Sequence, residues 1–233
     1  MSWRTSPAIL VLRNLGRRTG INQWLAARIG SADYEDRFQK RLLAELRPGD
    51  CVWDVGANVG LYSSMFSRIV GPAGKVFAFE PSPKNFAGLE TAVASLNNVM
   101  LMPMALGNTP GPMAFAEGSD ATGATSRVLP QAGVATGPTV DMRRGDDLVR
   151  LADAAIPNVM KIDTEGYELE VLRGLAGTLR HPSLRAVGIE IHFTLLNDRG
   201  LVGAAAEIET LLEASGFRCV WPDPSHIVAS RPA

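Results

Sequence analysis

The chain predicts a doubly wound α/β fold, a mostly parallel sheet with helices on both faces and a C-terminal antiparallel hairpin. Three observations predict it. Short apolar, β-prone runs alternate with segments whose apolar residues recur at helical spacing. The glycine-bearing loop Asp54-Val55-Gly56-Ala57-Asn58-Val59-Gly60 follows the first such run, and two later runs end in an acid, Glu80 and Asp163. The last two runs are separated only by Pro222-Asp223-Pro224. A link that short cannot make a parallel crossover, so the final strand must run antiparallel.

The 233 residues carry a formal net charge of -1 and 46% hydrophobic residues, an ordinary globular composition sufficient for one full domain. No basic excess points to nucleic acid and no apolar run reaches membrane-spanning length, so neither partner is expected. Cys51 and Cys219 lie in apolar strand-like runs and read as buried free thiols of a reducing compartment. The arginine-interrupted start shows no cleavage-site pattern. A cytoplasmic protein is therefore expected, with the oligomeric state open and a homodimer among the options.

Residues 1–35 are expected to form an N-terminal helical extension, with helical patterns at 8–15 and 21–29 broken at Gly16 and Gly20. The domain itself spans 36–233. A helix over 33–46 has Phe38, Leu42, Leu43 and Leu46 on one side, and Pro48-Gly49-Asp50 turns it into the first strand, from Cys51. After the glycine loop a helix over 61–70 leads to the second strand, 75–80. Pro81-Ser82-Pro83 stops that strand and starts a helix to Leu96. The third strand is read over 98–106, with Pro103 marking an edge or a bulge because proline cannot donate to a ladder. The stretch 109–139 reads as a long active-site loop, with Met113 to Ala116 as its strand-like piece. A short strand at 139–142 and a short helix from Asp146 precede the fourth strand, 158–163. The fifth strand, 184–191, ends Glu190-Ile191-His192, and a helix over 203–215 leads into the hairpin.

The glycine loop is neither G-x-G-x-x-G nor a phosphate-cradling loop, because Ala57 and Asn58 follow Gly56 and no lysine follows Gly60. Asp54 would repel a pyrophosphate and welcome a ligand with an ammonium or a sulfonium. Its glycines would permit a tight turn and close ligand approach. Glu80 stands roughly twenty residues further on, where nucleotide-binding α/β units place the acid that takes the ribose hydroxyls. Ala105 and Leu106 are placed to pack an adenine ring. The ends of the fourth and fifth strands are neighbours in a parallel sheet, which gathers Asp163, Glu165, Glu190 and His192. Two readings of that cluster stay open. His192 is a general base, with Asp163 or Glu165 orienting it or the acceptor. Alternatively Asp163, Glu190 and His192 hold Mg2+ or another divalent cation. Lys161 neutralises nearby acids, and His181 and His226 are given no chemistry.

Three blocks carry a family resemblance: residues 47–60 through the glycine loop, Ala78-Phe79-Glu80-Pro81-Ser82-Pro83, and Lys161-Ile162-Asp163-Thr164-Glu165-Gly166-Tyr167 on to Gly174. With them the chain resembles the FkbM-type family of class I S-adenosylmethionine-dependent methyltransferases from about residue 40 onward. The resemblance implies a seven-stranded Rossmann-like sheet, S-adenosylmethionine as donor, and O-methylation of a sugar, glycan or natural-product hydroxyl. It implies that Asp54, Gly56, Ala57, Asn58 and Gly60 hold the methionine end, that Glu80 and Pro81 lie at the ribose, and that Asp163 and Glu165 line the reaction edge. An amine acceptor, a nicotinamide-dependent oxidoreductase and a non-catalytic nucleotide-binding scaffold are the alternatives. The missing third glycine and the terminal hairpin weigh against the oxidoreductase.

Overall fold

A computed structural model describes residues 31–116, 126–129 and 138–232. The expectations for residues 1–30 lie outside them. Helix α1 (Ser31–Leu43) leads to strand β1 (Cys51–Val55), α2 (Leu61–Val70), β2 (Lys75–Phe79), α3 (Pro83–Val93) and β3 (Val99–Met102). The third predicted strand is in fact two. Pro103 interrupts it, and Ala105–Leu106 (β4) pairs in a separate sheet with β5 (Gly111–Ala116), β6 (Arg127–Val128) and β7 (Thr139–Arg143). So the region read as a loop carries a small sheet in order β4-β7-β5-β6. Its β5 and β7 answer the strand-like piece at 113–116 and the short strand at 139–142 expected from the sequence, whereas β4 and β6 have two residues each, too few for a period to count.

The chain returns through α4 (Gly145–Arg150), β8 (Val159–Ile162), α5 (Glu168–Arg173) and β9 (Ala186–Glu190). A one-turn helix not foreseen in the sequence, α6 (Phe193–Asp198), follows, then α7 (Ala204–Ala214), β10 (Arg218–Val220) and β11 (His226–Ser230). The large sheet has seven strands in order β10-β11-β9-β8-β1-β2-β3. All its pairings are parallel except those of β11, which runs antiparallel to both neighbours. The doubly wound topology and its closing hairpin are therefore as the sequence predicts.

Strands buried on both faces explain the unbroken apolar runs. One face of the sheet, with Val52, Val76, Val159, Ala186 and Val228, packs against Phe38 and Leu42 of α1 and Phe66 and Val70 of α2. The other face, with Trp53, Val55, Phe77, Phe79, Met160 and Ile162, packs against residues of α4, α5 and α7. The small sheet closes its own cluster around Met113, Phe115, Val140, Met142 and Tyr167. Among the described residues no helix is long and apolar enough to cross a membrane. Cys51 and Cys219 are free thiols, half-buried, and burial pushes both up to about 12.

Candidate active site

The carboxyl ends of β1, β2, β8 and β9 open on a cavity of about 210 Å³ that the small sheet walls on one side. Crossovers in this topology leave a crevice at that edge, where backbone groups and helix starts face outward. Gly56, Asn58, Glu80, Pro81, Ala105, Leu106, Asp163, Glu165, Glu190 and His192 all line it. Asp54, Ala57 and Gly60 do not.

Asp54 sits beneath the loop with its side chain fully buried. It accepts from Ser63 Oγ at 2.6 Å, and Lys161 Nζ lies 3.6 Å from it. Burial raises its pKa and Lys161 opposes the rise. Its charge balances a buried lysine, and its side chain lies below the cavity lining. Lys161 also donates to Gly56 O at 2.9 Å and pairs with Asp163 at 3.1 Å. Burial works against its charge, but Asp163 and Asp54 hold the ammonium protonated and raise its pKa. Lys161 thus joins the floor of the loop to the acid of β8.

Both loop glycines have the positive φ of a tight turn, as expected, and both are also closely packed. A Cβ on Gly56 (φ +80) would lie 1.8 Å from Asp163 O, and one on Gly60 (φ +86) would lie 2.9 Å from Leu89 Cδ1. They allow the loop to pack against the end of β8 and against α3, and Gly56 also lines the cavity.

Glu80 ends β2 with both carboxylate oxygens engaged. Oε2 accepts from Asn58 N and Oε1 from Ser82 N, each at 2.8 Å. Burial raises its pKa and those two N–H groups oppose the rise. Ser82 in turn caps α3, its hydroxyl accepting from Asn85 N at 3.3 Å, with Pro83 at the first helical position. Each Glu80 oxygen keeps a lone pair for a ligand hydroxyl. Asn58 Oδ1 and Thr164 Oγ1, on residues that line the cavity, are buried without a hydrogen-bond partner. A polar ligand would complete them.

At the other end stands His192, just beyond β9. Its Nδ1 lies 2.8 Å from Oε1 of Glu168, a fully buried carboxylate that also accepts from Gly166 N. Its Nε2 faces three more acids, Glu165 at 3.4 Å, Asp163 at 3.7 Å and Glu190 at 3.9 Å. Burial would lower its pKa, but hydrogen bonds with Glu165 and Glu168 and the charge of Asp163 push it up to about 11. Asp163 is held below the usual carboxylate range, since Lys161 and His192 outweigh its burial. At neutral pH the ring is therefore a cation.

Glu165 itself is in the left-handed region (φ 50), followed by Gly166 (φ 91). Arg199, at the end of α6, clamps this turn through Gly166 O and Glu170 and lies over the Tyr167 ring at 4.2 Å. Asp163, Glu165 and His192 offer ligand atoms within 4.8 Å of one another. Glu190, which the sequence reading grouped with Asp163 and His192, is not in that set.

Sequence reasoning missed Glu168, and nothing in the spacing marks it. Pairing the hairpin back onto β9 sets His226, which was given no chemistry, opposite Glu190.

A seven-stranded sheet with one antiparallel strand, an acid at the end of β2 and an acid–histidine edge beyond β8 and β9 define a class I, Rossmann-like methyltransferase fold. The chain belongs to the methyltransferase FkbM domain family, whose pattern it matches over residues 54–219. It is 34% identical over 152 residues to the hexuronic acid methyltransferase AglP of Haloferax volcanii, a match covering 65% of this chain and 59% of AglP. The chain thus spans less than two thirds of that relative. It is 32% identical over 216 residues to the 31-O-demethyl-FK506 methyltransferase FkbM of Streptomyces tacrolimicus, covering 80% of each. A putative rRNA-methylase from Clostridium thermocellum shares the fold, with a TM-score of 0.50 at 12% identity over 82% of this chain and 89% of that one.

Proposed function

We propose that this chain is an S-adenosylmethionine-dependent O-methyltransferase acting on a hydroxyl of a sugar, glycan or natural-product small molecule. The observation that carries the reading is one cavity with Glu80 at one end and the His192 cluster at the other. The relatives' names, a hexuronic acid methyltransferase and a 31-O-demethyl-FK506 methyltransferase, support the acceptor class.

The residues present fit the donor. Glu80 would accept from the ribose hydroxyls, and the Gly56–Asn58 backbone would border the methionine end. Ala105 and Leu106, buried and apolar, would pack the adenine. S-adenosylmethionine supplies, when bound, a methyl group already activated on a sulfonium. What remains for the protein is positioning and the acceptor proton. A hydroxyl is a poor nucleophile until that proton leaves. Glu168 fixes the ring of His192 through Nδ1 and so presents Nε2 to the cavity. Nε2 must lose the proton its carboxylates hold before it can take one from the acceptor. Turnover should therefore rise with pH through the His192 pKa of the loaded enzyme.

A second reading uses the same atoms. Asp163, Glu165 and His192 could hold a divalent cation in place of the Nε2 proton, lowering the acceptor's pKa directly.

Calorimetric titration with S-adenosylhomocysteine comes first, and micromolar binding is expected. Absence of binding would remove the donor assignment. Labelled methyl transfer to hexuronic acid glycosides and hydroxylated macrolides then tests the acceptor class. His192→Ala should cut turnover by at least ~100-fold with donor affinity unchanged, the range of general acid–base contributions. Loss of turnover in EDTA, restored by Mg2+ or Mn2+, would favour the cation reading.

A further inference from the structure

A second imidazole reaches the same cavity edge from behind. β11 pairs antiparallel with β9 so that His226 stands opposite Glu190, and cross-strand partners share one face of a sheet. His226 Nε2 lies 3.5 Å from Glu190 Oε2, while Glu190 Oε1 lies 3.9 Å from His192 Nε2. One carboxylate is thus flanked by two imidazoles.

His226 is fixed from three sides. Asp223 Oδ1 takes its Nδ1 at 2.9 Å and also accepts from the backbone N–H groups of Ser225 and His226. Phe38 of α1 stacks on the ring, with centroids 4.2 Å apart and planes at 26°. Phe38 fits there because Gly188, two residues before Glu190 on the same face, has no Cβ; one would lie 3.0 Å from Phe38 Cε2. Both His226 and Asp223 are buried. Burial would lower the His226 pKa, but Asp223 and Glu190 raise it to about 9, so a cation bridges the two acids at neutral pH. Burial would likewise raise Asp223, and His226 outweighs it.

We propose that His226 is a positioning residue for the acceptor end of the cavity: anchored by Asp223 and Phe38, it holds Oε2 of Glu190 and so turns Oε1 toward His192 and an incoming hydroxyl. A free glutamate at a cavity mouth samples several rotamers. Fixing it before the ligand arrives removes an ordering cost from the reacting complex. The hydroxyl rests on the methyltransferase reading, whereas the Asp223–His226–Glu190–His192 chain rests on geometry alone.

The chain has three histidines, His181, His192 and His226, so their ring signals can be followed individually by carbon–proton NMR across pH. In the wild type His226 should titrate near pH 9, well above an ordinary histidine. Glu190→Gln should lower the His226 midpoint by about one unit or more, as losing an opposite charge within ~4–6 Å does. Asp223→Asn, on the far side of the ring, should lower the His226 midpoint by a similar amount. A wild-type His226 midpoint near 6.5, or one that Glu190→Gln fails to move, overturns the proposal. S-adenosylhomocysteine affinity measured on the same wild-type samples reports separately on the methyltransferase reading.

Discussion

His192 Nδ1 and Glu168 Oε1 lie 2.8 Å apart, and the glutamate is fully buried. A carboxylate so placed fixes the ring's orientation and tautomer and favours its charged form. Glu168→Gln keeps the shape and removes the charge. The His192 midpoint should fall by about a unit or more, and the rising limb of the turnover profile should move to lower pH with it. A profile that stays where it was would detach Glu168 from the chemistry.

The two site histidines make stability pH-dependent. Their pKa values stand at about 11 and about 9 in the fold against an ordinary 6.5. A raised pKa means the folded state binds more protons than the unfolded one. The stabilisation is complete below about pH 6.5 and is lost as pH rises, by about 9 for His226 and about 11 for His192. Melting temperature should therefore drop between pH 6.5 and 9, and His226→Gln should flatten the drop. An equal slope in both proteins would contradict the raised values.

Gly49 and Gly56 both have positive φ, +87 and +80, but only Gly56 has a neighbour in the way. Gly49→Ala should cost about 1–2 kcal/mol, the left-handed penalty alone. Gly56→Ala should cost more than ~4 kcal/mol, because backbone must move. Denaturant midpoints of the two variants measure the difference directly, and similar losses would mean that the β8 turn yields easily.

Lys161 is buried between Asp54 and Asp163. Lys161→Met fills similar space and strands two acids. Breaking a buried pair from one side costs ~3–5 kcal/mol. Adding Asp54→Asn should recover part of that loss, and a double variant no more stable than Lys161→Met would rule out charge stranding as the cause.

Glu80→Ala should weaken S-adenosylhomocysteine binding by ~10-fold or more, since hydrogen bonds to a charged group contribute ~1.5–3 kcal/mol each. Unchanged calorimetric affinity would sink the ribose assignment.

The sheet was legible because strands buried on both faces read as apolar runs, and the Pro222-Asp223-Pro224 link left no alternative to a hairpin. Glu80, Asp163 and His192 could be placed at one edge because parallel strands end together. What escaped was whatever pairing decides at a distance. Nothing local says that Asp54 lies under Lys161, that Glu168 bends back to His192, or that the Gly56 hydrogen faces the Asp163 carbonyl. Of the small sheet, β5 and β7 were legible as short strands, whereas β4 and β6, at two residues each, carry no period to count.

Pro103 separates β3 from β4, and with that break the chain leaves one sheet and begins another. Phe115 and Val128, which line the cavity together with the strand ends of the large sheet, thus belong to strands paired in a sheet of their own. A change on that wall can therefore reshape the cavity without disturbing the register of the seven strands beside it.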